Sequence, residues 1–250
     1  MAEEKISLPV VVLRGRVAMP LVSTTFDAGR AITLSAIRQA MLKDKLFIAV
    51  TQRDENKEEV EGDDLYVYGT VFAVSRVTNL PSNRVRVTGK GVYRVKLLSL
   101  EKGEDCNYVT AIKAPTMEGE PELEEAYFRT ARYSVIEIIE NPSNRLISDE
   151  VANILRFTEN KEAFIYNAAS SIKLTVEKRE QILAADKLSE KFDLLYRFLN
   201  DELEISRLEK KISATVKRNI EKGQKDFYLR EQLKAIHSEL GDDENEKAEL

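Results

Sequence analysis

Apolar and polar positions divide this chain into three styles. The first follows a period of two. "ISLPVVVLR" (6–14) is an apolar run closed by Gly15, the pattern of a buried strand. Residues 30–45 switch to helical spacing, with Ile32, Ala36, Ile37, Ala40, Met41 and Leu42 forming the apolar stripe. "LFIAV" (46–50) returns to a buried strand and "DENKEEVEGDD" (54–64) reads as an acidic loop. "LYVYGTVFAVSRVTNL" (65–80) is a long β-branched and aromatic run. The turn signal "LPSN" separates it from "RVRVTGKGVYRVKLLSL". In that second run Arg84 and Arg86 alternate with Val85 and Val87. Further on, Arg94 and Lys96 alternate with Tyr93, Val95 and Leu97, which predicts one buried and one wet face. Gly89 and Gly91 bracket Lys90 and read as a strand bend or bulge. "CNYVTAIKAP" (106–115) supplies one more strand. Several strands, one helix and no βαβ rhythm predict a small mixed or antiparallel sheet curled into a partial barrel.

The second style begins after the linker "PTMEGEPE" (115–122). Leu123, Tyr127, Ala131, Val135 and Ile138 set a helical period, and "NPSN" (141–144) ends it. Ser148 and Thr175 are candidate helix caps, and "KEAFIYNAASSI" (161–172) lies between their helices. Short striped helices with short links predict a bundle. The third style is one long helix. Leu188, Phe192, Leu195 and Leu199 are spaced 4, 3, 4, and the stripe runs on through Leu203, Leu208, Ile212, Val216 and Ile220. Leu229, Leu233, Ile236 and Leu240 repeat the rhythm, with only Gly223 interrupting. A narrow apolar seam among dense charges predicts a coiled-coil-like helix or one awaiting a partner. The expected fold class is α+β. A β-rich subdomain covers 1–118, a helical bundle 119–205 and a long helix 206–250.

Composition sharpens this picture. The chain has 250 residues, enough for one large or two ordinary domains, and 43% are apolar, enough for a core. Charged residues reach 32%, which suits long exposed helices. The net charge of −5 gives the chain as a whole no nucleic-acid signature. Within it, residues 207–236 hold nine Lys/Arg against four Asp/Glu, and 239–250 hold six acids against one lysine. One cysteine, Cys106, cannot form an internal disulfide and fits a reducing compartment. The start lacks the basic and long apolar parts of a signal peptide. No segment approaches the roughly 20 apolar residues of a membrane span. A soluble cytoplasmic protein with no membrane partner is expected.

Candidate chemistry is sparse. Neither G-x-x-x-x-G-K nor G-x-G-x-x-G occurs. His237, the single histidine, and Cys106 cannot make a zinc site between them. The pairs Ser99–Lys102 and Ser170–Lys173 are at chance frequency in a lysine-rich chain. No catalytic residue and no metal ligand is therefore assigned. "AMPLV" (18–22) places Met19, Pro20 and Leu21 near a predicted loop. Core burial competes there with an apolar contact site for unfolded chains, where flexible methionine is useful.

"KDFYLREQLKAIHSELGDDE" (225–244) closely resembles the segment before the ATPase module of bacterial Lon proteases. "EISRLEKKISATVKRNIEKGQ", "LPVVVLR" and "LPSNRVRVTGKGVYRV" are similar to other parts of that family's N-terminal region. The stretch from Gly15 to Ile37 matches loosely, and 120–170 carries almost no family signature. The resemblance implies a PUA-like β subdomain, a helical bundle and a helix leading to the ATPase. It implies an intact protein that is an ATP-dependent serine protease, with a Ser–Lys dyad, working as a hexamer. ATP, Mg and the catalytic residues would then belong to modules beyond Leu250, and no cofactor is expected within this chain. The implied role is substrate recognition and assembly, with unfolded or damaged proteins as partners. Self-association would be hexameric in the intact protein and monomeric or dimeric for this part alone. Met19, Pro20, Leu21 and Phe26 are the candidate substrate contacts. Leu208, Ile212, Val216, Leu229, Leu233 and Ile236 are the candidate assembly and coupling residues. A free-standing PUA-like module for RNA or protein is the alternative, with nucleic acid ranked behind protein.

Overall fold

The computed structural model describes residues 4–140 and 147–245; the stop signal at 141–144 lies outside them. The described chain divides into two compact units, 1–203 and 204–250. Sheet and bundle, separate segments in the sequence pattern, thus share the first unit.

Six strands and one helix come first: β1 (Lys5–Leu13), β2 (Ser23–Ala28), α1 (Ala31–Leu42), β3 (Leu46–Gln52), β4 (Leu65–Leu80), β5 (Arg84–Lys102) and β6 (Asn107–Lys113). The sheet order is β2-β5-β4-β3-β1-β6, and β5 pairs with β6 as well. Five strands therefore close on themselves, and β2 is added along the outer half of β5. Only β1 and β3 are parallel; the other pairs are antiparallel. β5 reaches three neighbours because it is long and bent. Residues 85–90 pair with β2 and 95–102 with β6. Its register against β4 shifts twice, between Val71 and Phe72 and between Val74 and Arg76. Such bulges add local twist and let a strand turn a corner.

Two glycines sit at this bend, and both are there for close approach. A Cβ on Gly89 would lie 2.2 Å from the Ala73 carbonyl oxygen, and one on Gly91 would lie 2.1 Å from that of Met19. The Leu21 N–H donates to the Gly91 carbonyl (2.8 Å), and the Gly91 N–H donates to that of Val22 (3.0 Å). The connection between β1 and β2 is thereby pinned onto β5. Leu21 takes a positive φ of 62° to make that turn.

The sheet has two apolar faces. Val10, Ile48, Val50, Val71, Val95 and Val109 come only from the closed strands and fill the enclosed side. Val11, Phe47, Phe72 and Val87 face α1 and β2. Phe47 and Phe72 stack at 5.1 Å, and Phe26 meets Phe72 edge-on at 5.9 Å. α1 buries a narrower stripe than its spacing predicts. Thr33, Ala36, Ile37 and Ala40 are inside, while Ile32, Met41 and Leu42 are exposed. Small residues on the inner face let α1 lie close to the sheet.

The helices follow: α2 (Pro121–Ile139), α3 (Asp149–Phe157), α4 (Lys161–Ser171), α5 (Val176–Ala184) and α6 (Leu188–Asn245). Ser148 accepts from the Val151 N–H and Thr175 from that of Lys178, as their positions predict. Asn160 caps α4 in the same way. On α2 the buried row is Glu124, Phe128, Ala131, Val135 and Ile138, and Leu123 is exposed. Phe128 sets that rotation by packing edge-on against Phe164 at 5.1 Å. The bundle core adds Tyr166, Phe192, Leu195 and Leu199, and it takes in Met19 and Val22 from the β1–β2 connection.

In the second unit α6 continues through Gly223 as one helix. A Cβ there would meet nothing within 4 Å, so no contact requires glycine. The two kinds of glycine should behave oppositely on substitution. Gly91→Ala is expected to cost a few kcal/mol, because the neighbour it strikes is backbone. Gly223→Ala is expected to stabilise its helix by about 1 kcal/mol. Thermal unfolding followed by circular dichroism measures both, and equal effects would contradict the close-approach account.

Candidate functional site

The helix of the second unit carries the largest apolar exposure. Leu208, Ile212, Val216, Leu229, Leu233 and Ile236 are each between 46% and 63% exposed. They do not form one seam. At 100° per residue, 208, 212, 216 and 220 drift across one arc of the helix. Residues 229, 233, 236 and 240 occupy an adjoining arc, centred roughly 110° away. Spacings of 4, 4, 4 advance around the helix, whereas 4, 3, 4 holds a face. Gly223 falls between the two runs. Dense charge flanks both, including Lys217 within reach of Glu221 and Lys234 paired with Glu231. His237 is exposed on the same helix.

The four candidate substrate contacts lie elsewhere, and three of them are buried in this structure. Met19 is 1% exposed and packs in the bundle core. Pro20 is buried beside it. Phe26 is 5% exposed within the aromatic cluster between sheet and α1. These three offer no surface to another chain in this conformation. Leu21 alone is partly exposed. The reason is the pinning of the β1–β2 connection onto Gly91, which turns a predicted loop into a buried link.

The residues whose environment the sequence pattern missed are charged and buried. Arg94, placed on the wet face by alternation, is 3% exposed. Its guanidinium donates to the carbonyls of Leu183 (2.9 Å), Ala184 (3.1 Å) and Ala185 (2.6 Å) at the end of α5. It also donates to Ala114 (2.8 Å) and Pro115 (3.2 Å), and pairs with Asp186 at 2.9 Å. Its plane lies over the Tyr68 ring, 4.8 Å from the centroid. Lys191 is wholly buried nearby. It donates to the carbonyls of Ile182 (2.9 Å) and Leu183 (3.3 Å), and burial followed by the Arg94 charge brings its ammonium down to about 7. A neutral amine has two N–H donors, and both are used. Glu180, on α5, is buried with one carboxyl oxygen unpartnered, and burial raises it to about 7. Among the described residues no cluster of three or more His, Cys, Asp or Glu side chains could hold a metal ion. None of the helices described is long and apolar enough to cross a membrane.

A closed small sheet fused to a helical bundle, followed by a long helix with exposed apolar residues, defines an α+β domain. Comparison with known proteins gives the same answer more sharply. The family model for the "ATP-dependent protease La (LON) substrate-binding domain" matches residues 7–201. The chain is 34% identical over 248 residues to the Lon protease of Clostridioides difficile, covering 97% of this chain and 31% of that one. It is 31% identical over 251 residues to Lon protease 1 of Bacillus subtilis, covering 100% and 32%. The fold matches the N-terminal domain of a Mycobacterium avium complex Lon protease with a TM-score of 0.64, at 14% identity, over 78% of this chain and 99% of that one. The chain belongs to the Lon substrate-binding domain family. It spans about a third of the length of the curated relatives it matches.

The two buried titrating groups give a pH profile with a defined sign. Glu180 has a folded value above its ordinary 4.5, so the unfolded chain releases that proton first. Stability should fall as pH rises from about 4.5 to about 7. Lys191 has a folded value below its ordinary 10.5, so the unfolded chain keeps a proton that the folded chain has lost. Stability should rise from about 7 to about 10.5. Each slope is at most about 1.4 kcal/mol per pH unit. Glu180→Gln should flatten the first and Lys191→Met the second, as read by urea unfolding across pH. Arg94→Lys should cost about 3 kcal/mol by the same assay, because an ammonium cannot serve six acceptors.

Proposed function

We propose that this chain is the substrate-recognition and assembly region of an ATP-dependent Lon-type protease, acting in the cytoplasm. It catches unfolded or damaged proteins and passes them to an ATPase and peptidase ring in the larger assembly. Family membership supports the recognition role. The observation that carries the mechanism is the pair of exposed apolar rows, Leu208 to Ile220 and Leu229 to Leu240. Soluble monomers rarely leave such surface uncovered without a partner for it. Weak apolar contacts suit a capture domain, because many sequences must be held and then released. Several copies around one pore would turn such contacts into useful avidity.

The basic surplus between Arg207 and Ile236 favours a second reading, contact with RNA phosphates. Salt separates the two, since phosphate binding weakens steeply with ionic strength and apolar capture does not. The test is fluorescence anisotropy of a labelled, permanently unfolded protein titrated with this chain. The folded form of the same protein and a generic RNA run beside it, at low and high salt. Saturable binding of the unfolded form alone, little changed by salt, is expected. Replacing Leu208, Ile212 and Val216 by serine should weaken it at least tenfold without loss of helical signal. Binding of RNA alone, lost at high salt, would overturn the capture reading.

A further inference from the structure

A second surface, on the sheet, has a different chemistry. A cavity of about 670 Å³ opens between the end of β1, β2 and the first turn of α1. Four guanidinium groups line it, those of Arg14, Arg16, Arg30 and Arg86, against a single carboxylate, Asp27. Arg86 already holds Asp27 by two bonds of 2.7 and 3.0 Å. Three positive charges remain.

None of Arg14, Arg16 and Arg30 has a carboxylate within 4 Å among the described residues. Their acceptors are neutral. Arg14 donates to the Gln52 side chain and the Lys57 carbonyl, Arg30 to the Val12 carbonyl, and Arg16 weakly to the Thr25 carbonyl at 3.5 Å. Each guanidinium has five N–H donors, so most are unspent. The acidic loop makes no ion pair with them: Glu58 and Glu59 line an adjoining cavity with Arg30, and the Glu55 carboxylate lies against Gly15, between Arg14 and Arg16, without pairing with either. Arg30 feels this directly, because burial and then the charge of Arg14 hold it below its ordinary range. A fold alone gains nothing from crowding like charges.

The helix end adds donors of the same sign. α1 has no side-chain cap and no acidic residue in its first turn. Helix N-termini leave backbone N–H groups free and carry partial positive charge. Thr33, in that first turn, is only 6% exposed and lines the cavity.

We propose that this cavity binds a small phosphate-class anion, with Arg14, Arg16 and Arg30 supplying charge and the Thr33 hydroxyl supplying a hydrogen bond. Phosphate fits better than carboxylate. A carboxylate is planar and is satisfied by one guanidinium fork, whereas a tetrahedral anion presents oxygens to several donors arriving from different elements.

The probes are inorganic phosphate and pyrophosphate, with chloride at matched ionic strength and citrate as a carboxylate competitor. Calorimetry measures binding, and backbone amide shifts over residues 25–33 locate it. Saturable binding of pyrophosphate, tighter than phosphate, with shifts confined to those amides is expected. Thr33→Val keeps shape and burial but removes the hydroxyl, and Arg16→Gln removes a charge with little fixed structure. Each should weaken binding about tenfold, the loss of one charge-assisted hydrogen bond, with unchanged unfolding temperature. No saturable shift, an equal response to chloride, citrate binding more tightly than pyrophosphate, or unaltered binding in Thr33→Val would each overturn the assignment.

Discussion

The first unit depends on where one guanidinium ends. Arg94 leaves the sheet from β5 and finishes beneath α5, where the last carbonyls of that helix have no intrahelical donors. Those carbonyls form the negative end of the helix dipole, so a cation there is favoured on charge as well as on hydrogen bonding. The same group reaches the backbone at Ala114 and Pro115, where the chain leaves β6 for the bundle. One side chain thus fastens the sheet, the link out of the sheet and the start of the last helix. Asp186 supplies the counter-charge, and Tyr68 covers the flat face. Beside it, Met117 bridges to the turn before α6, with its N–H on the Asp186 carbonyl and its own carbonyl accepting from Leu188. Buried charge is expensive, and here every part of it is answered.

A second tie runs the other way. The β1–β2 connection belongs to the sheet by sequence, yet Met19 and Val22 are core residues of the bundle. That is possible only because Gly91 lets the Met19 backbone come against β5. Sheet and bundle therefore exchange parts in both directions, and their fusion into one unit follows. Apolar residues committed to this joint are unavailable for capture, which is why the proposed contact surface falls on the helix of the second unit.

Much of this was legible in the sequence, and the failures share a cause. Strands β1, β3, β4, β5 and β6 follow from alternation and β-branched runs, and the caps at Ser148 and Thr175 follow from residue type. β2 escaped because "STTFDA" is short and polar and offers only Phe26 and Ala28 to a core. Arg94 escaped because period-two spacing separates the two faces of a strand without saying that both are covered. Glu124 and Lys191 escaped likewise: a charged side chain inside a helix reads as solvent-facing until a neighbouring element lies over it. Met19 and Phe26 show the converse. An apolar residue next to a predicted loop reads equally as core or contact, and only the long-range pairing with β5 decides between them.

The arginines of this chain separate structural charge from functional charge by a physical criterion. Arg94 is enclosed, and its donors are matched by acceptors. Arg14, Arg16 and Arg30 stand together around a cavity with neutral acceptors and no carboxylate partner of their own. The long helix divides in the same manner. Up to Leu203 its apolar row is buried; beyond it, two rows are uncovered on different faces. A single straight partner helix would not lie centrally along both rows, because their centres are roughly 110° apart.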